Sequence, residues 1–89
     1  MTELRATARF LDKAGSITSP KLRARLEGLL ELLSEVPTIG SALTRDHLEE
    51  EYGESCLTLD LKPFLIVYEY DDGADVVALY DIIRQRLIR

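Results

Sequence analysis

The most constraining feature of this chain is a single change in hydrophobic period, from about 3.6 residues to 2. Ser19-Pro20 has the form of a helix start, with a serine cap followed by a proline whose missing N–H costs nothing in the first turn. Leu22, Leu26, Leu29, Leu30 and Leu33 then recur at helical spacing, Leu32 widens the stripe and Val36 closes it. Pro37 cannot continue a helix, and Gly40 adds a further break. From Cys56 onward the period is two, with Leu57, Leu59 and Leu61 alternating with Cys56, Thr58 and Asp60 as in a half-buried strand. Lys62-Pro63 makes a turn. The aromatic and β-branched run Phe64-Leu65-Ile66-Val67-Tyr68-Glu69-Tyr70 reads as a central strand. Asp71-Asp72-Gly73 is a hairpin signal, and Val76 to Ile83 returns as a third strand.

At the N-terminus, Thr2 reads as a cap, and Leu4, Ala8 and Leu11 fall at i, i+4 and i+7. A first helix is therefore expected from Thr2, ended at Ala14-Gly15-Ser16 with Gly15 just past its end. The short link to Ser19 makes the two helices an antiparallel hairpin. An α+β class follows: a helical hairpin lying across an antiparallel meander of about three strands. The 89 residues suit one domain, 1–89. Residues 37–54 read as a long polar loop, a kind of segment that often carries function.

Composition narrows the chemistry. One Cys and one His, Cys56 and His47, allow neither an internal disulfide nor a conventional Cys/His zinc site. No metal or cofactor is expected. The formal net charge of −5 opposes nonspecific nucleic-acid binding, which depends on neutralising phosphates. Of the 11 basic residues only Lys13, Lys21 and Lys62 are lysines, so arginine forks dominate. No apolar run approaches the roughly 20 residues needed to span a bilayer, and the N-terminus has no signal-peptide pattern, so a cytoplasmic location is expected.

Single residues have competing readings. His47 is either a general base or an exposed histidine; no nucleophile stands near it in sequence, which favours the second. Cys56 reads as a small strand residue rather than a nucleophile. Tyr68, Tyr70 and Tyr80 are ligand contacts or, more in keeping with strand aromatics, packing residues. Glu49-Glu50-Glu51 is a solvated acidic run or a docking face for a basic patch. Arg84 and Arg86 share one face in strand geometry, and with Arg89 they form either a functional cluster or a solvated tail.

The order helix, helix, loop, meander resembles the RelE/ParE toxins over nearly the whole chain. Pro37-Thr38-Ile39-Gly40 is similar to the family's P-x-x-G after a Leu-rich second helix. Leu48 with Tyr52-Gly53 resembles its Leu…Tyr-Gly segment, Leu65-Ile66-Val67-Tyr68 its apolar strand ending in Tyr, and Arg84-Gln85-Arg86 its Arg-containing tail. The resemblance implies a type II toxin, held by a cognate antitoxin protein that wraps its helices and sheet. Arg5 and Arg9 lie on a face open to such a partner.

Two departures from the family pattern matter. Family members begin with a strand, whereas this chain reads as beginning inside a helix, which would leave a sheet edge open to pairing with a second copy. The RNA-cleaving RelE branch is basic, whereas this chain is acidic and its last strand carries no His. The resemblance therefore leans to the ParE branch, which binds DNA gyrase rather than cutting RNA, with Arg84, Arg86 and Arg89 as target contacts. The alternative is a RelE-like mRNA endonuclease in which Arg45, Lys62 and Tyr80 join Arg84 and Arg86 around RNA. A third reading is an inactive relative that only binds a partner.

Overall fold

The computed structural model describes residues 2–42 and 55–85. Strand β1 (Glu3–Ala6) comes first, followed by helices α1 (Ala8–Gly15) and α2 (Pro20–Glu35). A two-residue strand β2 (Ser41–Ala42) precedes the meander β3 (Leu57–Leu61), β4 (Phe64–Asp71) and β5 (Val76–Arg84). The sheet order is β1-β5-β4-β3-β2, with β1 parallel to β5 and every other pair antiparallel. The α+β class and the helix-plus-meander plan hold, and among the described residues the sheet has five strands rather than about three.

The N-terminal reading is corrected. Residues 3–6 are a strand, so the first strand is present and no edge beside β5 stands open for its lack. Four residues cannot distinguish the two periods. Leu4 packs on the core while Glu3 and Arg5 face outward, and partners distant in sequence decide the outcome. Glu3 lies opposite Val76 and Ala6 opposite Leu79. The Glu3 N–H donates to the Asp75 carbonyl at 3.1 Å, the Thr7 N–H to that of Leu79 at 3.0 Å, and the Thr2 N–H to that of Ser34 at 3.0 Å. The expected stripe also fails at Leu11, which is 60% exposed, while Phe10 takes the buried position.

Thr7, not Thr2, caps α1. Its hydroxyl accepts from the Phe10 N–H at 3.1 Å and donates to the Tyr80 carbonyl at 2.8 Å, so one side chain both starts the helix and ties it to β5. Gly15 is the last helical residue and Ser16 closes the helix, its N–H reaching the Asp12 and Lys13 carbonyls. Helix α2 starts as its sequence implies, with Ser19 Oγ accepting from the Leu22 N–H at 3.3 Å. It ends at Glu35, ahead of Pro37.

Phe10 from α1, Leu26 and Leu33 from α2 and Ile17 from their link pack with Leu61, Ile66, Tyr68, Val77, Leu79 and Ile82 of the sheet. Each such side chain contributes roughly 1.5–3 kcal/mol by leaving water. Alternation sends Leu65, Val67 and Tyr80 to a second apolar cluster with Cys56 and Ile83, which among the described residues contains no helical one. A bulge makes this possible. Val67 pairs with Asp81 and Tyr68 with Leu79, leaving Tyr80 as the extra residue of β5. Among the described residues, no helix is long and apolar enough to cross a membrane.

Candidate functional site

The β3–β4 turn and the end of β5 meet at one end of the sheet. Phe64, the first residue of β4, lies directly opposite Arg84, the last of β5. The Arg84 guanidinium carbon sits 5.3 Å from the centre of the Phe64 ring, within cation–π range. Gln85 pins this corner. Its N–H donates to the Pro63 carbonyl at 3.0 Å, and its amide donates to Asp60 Oδ1 at 2.8 Å and to the Phe64 carbonyl at 3.1 Å. Arg84 and Lys62, both exposed, give the corner its positive charge. Phe64 had no assigned role in the sequence reading. The signal that finds it is the register, in which the residue after the Lys62-Pro63 turn pairs with the first tail arginine.

Tyr80 lies apart from this corner, on the sheet face away from the helices. There Val76, Ala78 and Tyr80 of β5, Glu69 and Asp71 of β4, and Glu3 and Arg5 of β1 line an open cleft of about 410 Å³. The Tyr80 hydroxyl donates to Glu69 Oε1 at 2.8 Å. That hydrogen bond, with partial burial and the charge of Glu69, pushes the phenol up to about 12. Arg5 is ion-paired with Glu3, so the cleft is acidic on balance. Glu69 also accepts from Ser55 Oγ at 2.7 Å. Nearby Cys56 is buried, and burial followed by the charge of Glu69 raises its thiol pKa, which disfavours the reactive thiolate.

Of the other residues read from sequence, Tyr68 is core, as its strand position implied, and Tyr70 packs at the core's edge while its hydroxyl donates to Asp75 Oδ1 at 2.9 Å. Arg9 is held 3.7 Å from Asp81 rather than simply facing solvent. Arg45, His47, Glu49, Glu50, Glu51, Arg86 and Arg89 lie outside the described residues.

The geometry defines a small α+β domain: a first strand parallel to the last, two helices and a meander whose last strand ends in a presented arginine. The chain belongs to the ParE toxin family of type II toxin–antitoxin systems (parDE), which it matches over residues 1–88. Its fold is similar to that of a chain in the intact E. coli RelBE toxin–antitoxin complex, with a TM-score of 0.71 at 20% identity, covering 94% of this chain and 96% of that one. It is also similar to the isolated E. coli RelE toxin, with a TM-score of 0.73 at 18% identity, covering 94% and 84%. The Mycobacterium tuberculosis RelBE2 complex gives a TM-score of 0.73 at 18% identity, covering 94% and 98%. No curated protein sequence matches the chain significantly.

Proposed function

We propose that this chain is the toxin of a type II pair and arrests growth by noncovalent capture of a protein target, DNA gyrase, with a cognate antitoxin masking it. The charge of the open sheet face carries this reading. Glu3, Glu69 and Asp71 line the cleft with Tyr80, and Arg5, its one arginine among the described residues, is already paired with Glu3. An RNA backbone would meet carboxylates there, and cleavage needs cations beside the scissile phosphate. Tyr80, the aromatic candidate for RNA handling, has its hydroxyl committed to Glu69. A binding toxin needs none of that chemistry, and the Arg84 corner offers a presented fork for a protein surface.

The test is induced expression in a bacterial culture, with and without the neighbouring open reading frame. Arrest relieved by the neighbour supports a toxin with its antitoxin. DNA-damage signalling together with loss of supercoiling by purified gyrase supports the proposed target. One observation favours the RelE-like alternative: Lys62 and Arg84 are both cations at one end of the meander. Rapid mRNA loss and cleavage of ribosome-bound mRNA would select that reading instead. No arrest by soluble, folded protein would leave an inactive relative.

A further inference from the structure

We propose that Phe64 is a positioning residue for Arg84, holding the guanidinium flat so that its N–H edges meet a planar carboxylate on the protein partner. This rests on the toxin reading and names the chemistry of its contact.

Three observations carry it. Phe64 and Arg84 are directly paired across β4 and β5, where side chains on adjacent strands touch. The guanidinium carbon lies over the Phe64 ring, 5.3 Å from its centre and within cation–π range, so the ring attracts the group to its face. The backbone around them is immobilised by the three Gln85 hydrogen bonds, to Pro63, Asp60 and Phe64 itself. A long arginine on an unpinned end would lose rotamer freedom on binding. Here the ring has already restricted it, so less is lost for each hydrogen bond to the partner. A face engaged by an aromatic ring leaves the fork edge for recognition, and that edge matches a carboxylate in bidentate geometry. Lysine, a point charge without a fork, cannot reproduce this.

The experiment compares inducible expression of the wild type with Arg84→Ala, Arg84→Lys, Phe64→Leu and Phe64→Tyr. Soluble levels are matched, thermal melting is measured on each purified protein, and growth arrest is the readout. Phe64→Leu keeps an apolar side chain on the core edge and removes the ring, while Phe64→Tyr keeps the ring. Phe64→Leu is expected to need roughly two- to fivefold more protein for half-maximal arrest, the scale of one exposed cation–π contact, and both arginine variants on the order of tenfold more, the scale of a lost charge-assisted hydrogen bond. Phe64→Tyr should arrest growth as the wild type does.

Loss in Arg84→Ala with full potency in Phe64→Leu overturns the positioning role and leaves the toxin reading standing. Equal losses in Phe64→Leu and Phe64→Tyr, tracking lowered melting temperatures, reduce Phe64 to a packing residue. Full potency in Arg84→Lys overturns the fork, because charge alone then suffices. Full potency in Arg84→Ala removes the residue from the contact. A wild type that causes no arrest sinks the toxin reading and this inference together.

Discussion

Tyr68 and Gly40 are fitted to each other across 28 residues of chain: the buried phenol accepts the Gly40 N–H at 2.9 Å and donates to the Pro37 carbonyl at 2.9 Å. A Cβ on Gly40 would lie 2.5 Å from the phenol oxygen and 2.8 Å from the Thr58 carbonyl oxygen. The P-x-x-G segment is thus a fitted seat for one tyrosine. Tyr68→Phe leaves a donor and an acceptor without their partner and should cost about 1–3 kcal/mol. Gly40→Ala should cost a similar amount by overpacking, and it should loosen β2, whose Ser41 pairs with Thr58. Urea unfolding measures both, and a Gly40→Ala protein as stable as wild type would contradict the fit.

Asp81 should reveal an asymmetry. It is 2% exposed, with Lys13 Nζ at 3.1 Å and its carboxylate also accepting the Ile82 N–H at 2.8 Å. Lys13 and Arg9 are about half exposed or more, so they return to water when Asp81 is neutralised. Asp81→Asn is therefore expected to cost about 1–3 kcal/mol. Lys13→Met combined with Arg9→Met takes both cations from the buried carboxylate and should cost more, toward the roughly 3–5 kcal/mol of a broken buried pair. Equal costs in denaturant titrations would show that the carboxylate is better solvated than its burial implies.

Alkaline titration should find the described tyrosines late. Hydrogen bonding to Glu69 raises Tyr80 to about 12, and hydrogen bonding to Asp75 raises Tyr70. Burial raises Tyr68. A folded pKa above the unfolded value of about 10 means the folded state holds its proton more tightly. The stabilisation is complete below pH 10 or so and is lost as pH rises toward about 12. Tyrosinate absorbance followed with pH should lose its latest step in Tyr80→Phe. An unchanged last step would assign it elsewhere.

Asp75 anchors β1 to the β4–β5 turn from a left-handed backbone position, φ 55°. Its carboxylate accepts from Thr2 Oγ at 2.7 Å and from Tyr70 Oη at 2.9 Å, and these bonds, Thr2 first, hold its pKa below the ordinary value. The resulting stabilisation is present above pH 4 or so and is lost as pH falls through the folded pKa. Thr2→Ala should move the Asp75 titration back toward the ordinary carboxylate range, as side-chain carbonyl NMR shifts would report. No movement would mean that Tyr70 alone sets it.

Much of the fold was legible because its signals are local. The leucine stripe with Ser19-Pro20 gave α2, and alternation from Leu57 to Leu61 and from Phe64 onward gave the meander. The first strand was hidden because a four-residue segment acquires its identity from Val76 to Leu79, some seventy positions away. Leu4 satisfies a helical spacing and a strand alternation equally well. The bulge at Tyr80 was hidden for a related reason: the run Val76 to Ile83 shows no break, and only pairing with Val67 and Tyr68 exposes the extra residue. At the candidate site, Arg84 was legible as a tail cation, whereas Phe64 became visible only through cross-strand register.

The parallel pairing of β1 with β5 has a temporal side. Synthesis releases the first strand early, yet its hydrogen-bonding partner is translated after both helices and the rest of the meander. The sheet therefore cannot close on a partly made chain, and contacts so far apart in sequence form slowly. The proposed toxin is thereby kept incomplete until β5 has been delivered, an interval in which a newly made partner can reach it.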